Sequence, residues 1–122
     1  MNRVKTAFII AIVAASLIAC GKKQTLPDGF TQESYDLGCK ALNIMEQYNN
    51  GEMDADVCYI SLKEIYDKAD EIHDDSSQTK EVQLNALAIA ANCFDFNNRL
   101  LTGEEDTEEP VKYLKETLGI TE

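Results

Sequence analysis

Hydrophobic positions along the 122-residue chain form one unbroken run near the start and four amphipathic stretches after it. The run, Ala7 to Ala19, holds 13 residues with Ser16 inside it, whereas a helix needs about 20 apolar residues to cross a bilayer core. It predicts a short apolar signal helix. A polar stretch, Gly21 to Phe30, follows with Pro27, Asp28 and Gly29 and no apolar period. Thr31 is then placed to cap a helix. Tyr35, Gly38, Leu42 and Met45 make one seam of that helix, and Leu37, Ala41, Ile44 and Tyr48 a second. It stops at Asn49, Asn50 and Gly51, residues that end helices and open turns.

Asp54 or Asp56 can cap the second stretch, where Cys58, Leu62, Ile65, Ala69 and Ile72 recur at spacings of four and three, the period of a one-sided helix. The third, Gln78 to Leu101, has two seams: Val82, Ala86, Ile89, Cys93 and Leu100, and Leu84, Leu87, Ala91, Phe94 and Leu101. Two apolar seams imply packing on two sides, so this helix is expected at the centre. The charged run Glu104 to Glu109 reads as a linker, and Pro110 suits the first turn of a last helix carrying Val111, Tyr113, Leu114 and Leu118. Alternation with period two is nowhere sustained. The expected fold is all-α: a small up-down bundle of three main helices and a short C-terminal helix, preceded by the signal helix. The turn between the first two helices, with the Leu37-Gly38 pair, loosely resembles a tetratricopeptide hairpin. Asp56 stands where that pattern has a small residue and no second repeat follows, so it reads as a generic helical hairpin.

Charge narrows the partners. The formal net charge is −11, and removing residues 1–19 takes away Arg3 and Lys5, leaving 9 basic against 22 acidic side chains, or −13. Such a body repels phosphate backbones, and nucleic-acid binding depends on Lys and Arg displacing counterions. What remains is one domain of modest size. The expected division is a signal peptide at 1–19, a tether at 20–30 and an acidic helical domain at 31–122.

The first six residues carry Arg3 and Lys5 and no acid before the apolar run, the order of an export signal. The run ends Leu17, Ile18, Ala19, Cys20, which resembles the lipobox of bacterial lipoproteins; the resemblance covers residues 1–20. It implies that Cys20 takes a diacylglyceryl group in thioether linkage, that cleavage before it makes it the first mature residue, and that its new amine accepts a further acyl chain such as palmitate. Two chains hold a protein firmly where one binds marginally, at about 0.8 kcal/mol per buried CH₂. Lys22 and Lys23 then lie at the headgroups. The protein would sit on the extracytoplasmic face of the plasma membrane, or of an outer membrane in a cell that has one, since Gly21 is not the aspartate of the retention signal.

Three cysteines follow, Cys39, Cys58 and Cys93, each on an apolar seam. Export permits disulfides, and the odd count leaves one over. In an up-down-up arrangement Cys58 and Cys93 are symmetric about the turn at Asp75 and Ser76, so they share a height and can bridge. Cys39 reflects onto residue 64, about 9 Å along the axis from Cys58, beyond the usual Cα separation of a disulfide. A Cys58–Cys93 bridge, contributing about 3 to 4 kcal/mol, is one expectation; three small buried hydrophobes is the other.

No further constellation carries strong chemistry. Asp70, His73 and Asp74 share a helix end and can hold a divalent cation weakly, although a solvated terminus explains them as well. The acidic run lacks the alternating ligands and central glycine of a calcium loop. No cysteine pair has zinc-ligand spacing, and one histidine without a Gly-x-Ser-x-Gly turn gives no nucleophilic centre. The sequence therefore predicts no enzyme, no cofactor and no resident metal. It predicts a membrane-anchored domain that binds another envelope or surface protein, the alternative being a weak binder of small ligands or cations.

Overall fold

The computed structural model describes residues 26–120, and over these residues the chain is four helices without a strand. They are α1 (Gln32–Asn49), α2 (Ala55–Asp74), α3 (Lys80–Thr102) and α4 (Glu108–Leu118). The expected small all-α bundle is the observed fold. The signal helix and Cys20 lie outside the described residues.

Local chemistry sets each boundary. Thr31 caps α1 in a reciprocal box: its Oγ1 accepts from Ser34 N–H at 3.1 Å, and its own N–H donates to Ser34 Oγ at 3.0 Å. Such a cap satisfies N–H groups that the first turn leaves without helical partners. Gly51, just past the end, has φ +78°, the left-handed region that glycine enters without Cβ strain. Asp54 occupies the N-cap of α2, and Thr79 caps α3 by accepting from Val82 N–H at 3.2 Å. Between them Asp75 Oδ1 accepts from Ser77 N–H at 2.9 Å and Ser77 Oγ–H at 2.6 Å, a turn built by an aspartate on its own following backbone. Pro110 is the third residue of α4, inside the first turn, where its missing N–H removes no helical bond.

The most extensive pairing joins α2 and α3, while α1 and α3 each touch all three other helices. Both seams of α1 are buried apart from a half-buried Tyr48. The arrangement differs from expectation in α3. Its first seam is buried at Val82, Ala86, Ile89 and Cys93, but Leu84, Leu87, Ala91, Phe94 and Leu101 of the second are all exposed. The short α4 packs against α1 and α3 and makes no contact with α2, so among the described residues no element covers that side of α3. The helix packed on both apolar seams is α1.

Gly38 permits the closest approach in the bundle. A Cβ there would stand 2.5 Å from Leu118 Cδ2 and 3.2 Å from Ile89 Cδ1, so glycine lets α4 and α3 both seat on α1. The domain also begins before Thr31. Leu26 and Phe30 pack against the core, Phe30 meets Tyr35 edge-on at 5.6 Å, and the Gly29 carbonyl accepts from Asn85 Nδ2 at 2.8 Å. Residues 26–30, expected to be tether, are therefore part of the folded body, because their apolar side chains close the end of the bundle.

Candidate functional site

The uncovered side of the molecule lies along α3 and the neighbouring edge of α2. Five of the six large exposed hydrophobic residues are here: Leu84, Leu87, Phe94 and Leu101 on α3 and Ile60 on α2. Phe94 is 63% exposed and Leu101 70%, so more than half of each residue's surface meets solvent. A groove of about 200 Å³ runs between the helices, walled by Tyr59, Lys63 and Tyr66 and by Phe94, Asn98 and Leu101. Tyr59 and Leu101 also line a second hollow of about 370 Å³ with Ile60 and Leu100. The two form one continuous apolar strip.

The strip is held firmly from beneath. Asn97, almost buried on α3, donates from Nδ2 to the Tyr59 carbonyl of α2 at 3.0 Å. Phe94 leans on Tyr66 with ring centroids 6.2 Å apart. Charge is sparse: from Val82 to Asn98 the only ionisable side chain that is charged at neutral pH is Asp95, and Arg99 one turn on meets it at 3.1 Å. Contiguous apolar surface of this kind, rimmed by polar groups, marks interaction sites on soluble domains.

Arg99, which the sequence pattern did not single out, organises the acidic run. Its guanidinium donates to Asp95 at 3.1 Å, to the Asp106 carbonyl at 2.7 Å and to Glu109 Oε1 at 2.8 Å, with Glu104 at 3.6 Å. The run from Glu104 to Glu109 is thus wrapped on an arginine rather than loosely solvated. Buried Thr107 then donates its hydroxyl to Asn49 Oδ1, tying the linker to the end of α1. A wide concavity of about 680 Å³ lies over α4 beside Tyr113. Its lining comes from one stretch of chain, so it lacks an opposing wall.

The structure brings Asp70, His73 and Asp74 together: one ligand atom from each lies within 4.8 Å of the others. His73 Nδ1 is 3.2 Å from Asp74 Oδ1. The trio occupies the C-terminal turn of α2, where helix carbonyls favour positive charge.

Cys58 and Cys93 are free thiols, both fully buried. The expected bridge between them is not formed. Burial in apolar surroundings pushes the Cys58 thiol up to about 12, and Cys93 higher still through burial and then the neighbouring Cys58 sulfur. Both residues serve as small buried hydrophobes. Cys39 is disulfide-bonded, so its partner is not one of the other two described cysteines.

Neither a family model, nor a curated protein, nor a solved structure matches this chain. Among the described residues no helix is long and apolar enough to cross a membrane.

Proposed function

We propose that this is a lipid-anchored, extracytoplasmic helical domain that works by binding another protein through the apolar face of α2 and α3. The observation that carries the binding half is the row of exposed hydrophobic side chains that no other described residue covers. Leaving such a strip in water forgoes roughly 25 cal/mol per Å² of apolar area, so a partner that covers it gains that amount. The anchoring half rests on the lipobox ending in Cys20 and on the charge order before it. Acidic surface elsewhere keeps the body from adhering to phosphate headgroups or nucleic acid.

Chemistry sharpens the test of the anchor. Cys58 and Cys93 are free, and one sulfur cannot hold both a thioether to lipid and a disulfide, so lipid on Cys20 requires Cys39 to take its disulfide partner from another molecule. Mass spectrometry of the N-terminal peptide of the exported protein distinguishes the two. The proposal expects a diacylglyceryl mass on Cys20 as residue one. A Cys20–Cys39 linked peptide, or residues 1–19 still attached, would refute it.

A second reading, weak cation binding, is favoured by the Asp70, His73 and Asp74 cluster. It predicts a rise in melting temperature with Zn²⁺ or Ca²⁺ that His73→Ala removes; an unchanged melt excludes it.

A further inference from the structure

We infer that the exposed stripe of α3 pairs with the same stripe of a second copy of this chain, forming a short parallel two-helix seam. This rests on the anchored, protein-binding reading above and names the partner. The stripe is more regular than an accidental patch. Leu84, Leu87, Ala91, Phe94, Asn98 and Leu101 follow one another at spacings of three, four, three, four and three, and all six are exposed. That is the a and d rhythm of a two-stranded coiled coil, here on the side of α3 opposite its buried Ile89 and Phe96. Asn98 is the single polar member and falls at an a position, where an asparagine pairs with its counterpart and fixes register and strand number.

Charge explains why one copy can meet another on this face and on few others. A body of this acidity repels itself, but of the positions flanking the stripe Ala90 and Asn97 are buried in the bundle, and Ala88 and Asp95 are half-buried on the other side. On the α2 side the groove beside the stripe carries Lys63, a charge opposite to Asp95 of the other copy. Ala88 and Ala91 add little bulk, which lets the helix backbones approach.

Orientation comes from where the described chain begins. Gly29 is bonded to Asn85 near the N-terminal end of α3, so the described chain begins at that end. Two copies on one membrane therefore present α3 in the same direction, as a parallel seam requires. The stripe is only about two and a half heptads long, short for an autonomous coiled coil. Confinement to a surface raises the effective concentration and compensates for that length.

The test uses the full chain in its membrane with a single added cysteine. Leu87→Cys and Phe94→Cys stand at d positions, where side chains of a parallel pair meet; Glu64→Cys is exposed on α2, outside the stripe. After mild oxidation, L87C and F94C are expected to give disulfide-linked dimers above the background of the parent chain, and E64C none. Adding Phe94→Glu to L87C should abolish its dimer, since it sets two carboxylates against each other. Dimer yields no higher than E64C would overturn the inference. Linkage of F94C to a protein of different mass would also overturn it, while leaving the protein-binding reading intact.

Discussion

Single residues carry several of the sharpest expectations. Cys58 and Cys93 are fully buried, and the cause that raises both thiols is removal from water. Native protein should resist alkylation at neutral pH on both, and label only as fast as it unfolds; rapid native labelling followed by mass spectrometry would contradict their placement. The raised Cys58 value has a pH consequence. Its contribution to stability is complete below the ordinary thiol value and is lost as pH rises toward about 12. Denaturant melts across that range should slope less for Cys58→Ala than for the parent. Gln47 is a different case: its amide is buried, and neither its oxygen nor its nitrogen has a hydrogen-bond partner. Replacing an unsatisfied buried polar group by an apolar one of similar shape recovers desolvation cost. Gln47→Met should therefore stabilise the bundle by about 1 kcal/mol, measurable as a raised urea midpoint.

At the scale of elements, the helices and their caps were legible because each has a local cause. Thr31, Asn50 with Gly51, Asp54 and Pro110 act through their own backbone geometry, and periodicity marks which residues share a face. The role of α3's second seam was not legible. A period of 3.6 states that Leu84, Leu87, Ala91, Phe94 and Leu101 share a face, but not that a neighbour exists to cover it. Arg99 escaped notice for a related reason: its acceptors at Asp106 and Glu109 come from a linker, and linkers have no period. The turn between α2 and α3 offers a pH test. Hydrogen bonds from Ser77 hold the Asp75 carboxyl below its ordinary value. Its contribution is present above that ordinary value and lost as pH falls through the lowered one, so Asp75→Asn should flatten part of the acid limb of a stability profile. Packing between elements is tested at Gly38. Gly38→Val drives a side chain into Leu118 and Ile89 and should cost about 1 to 3 kcal/mol, read as a lowered midpoint with helicity retained.

For the whole molecule, the bundle combines a firmly packed interior with one side left apolar and nearly uncharged. Cys58 and Cys93 are shielded in the core, and Arg99 is occupied by the linker. The proposed binding is assigned instead to the apolar surface that α2 and α3 expose. The most direct measurement compares cross-linked products in intact cells for the anchored chain and for Phe94→Glu with Leu101→Glu. Both residues stand in solvent, so the variant should keep its helical circular dichroism and its place in the membrane fraction. The account predicts that the parent forms defined products, the homodimer foremost, and that the double variant loses them. The same products from both chains would contradict it.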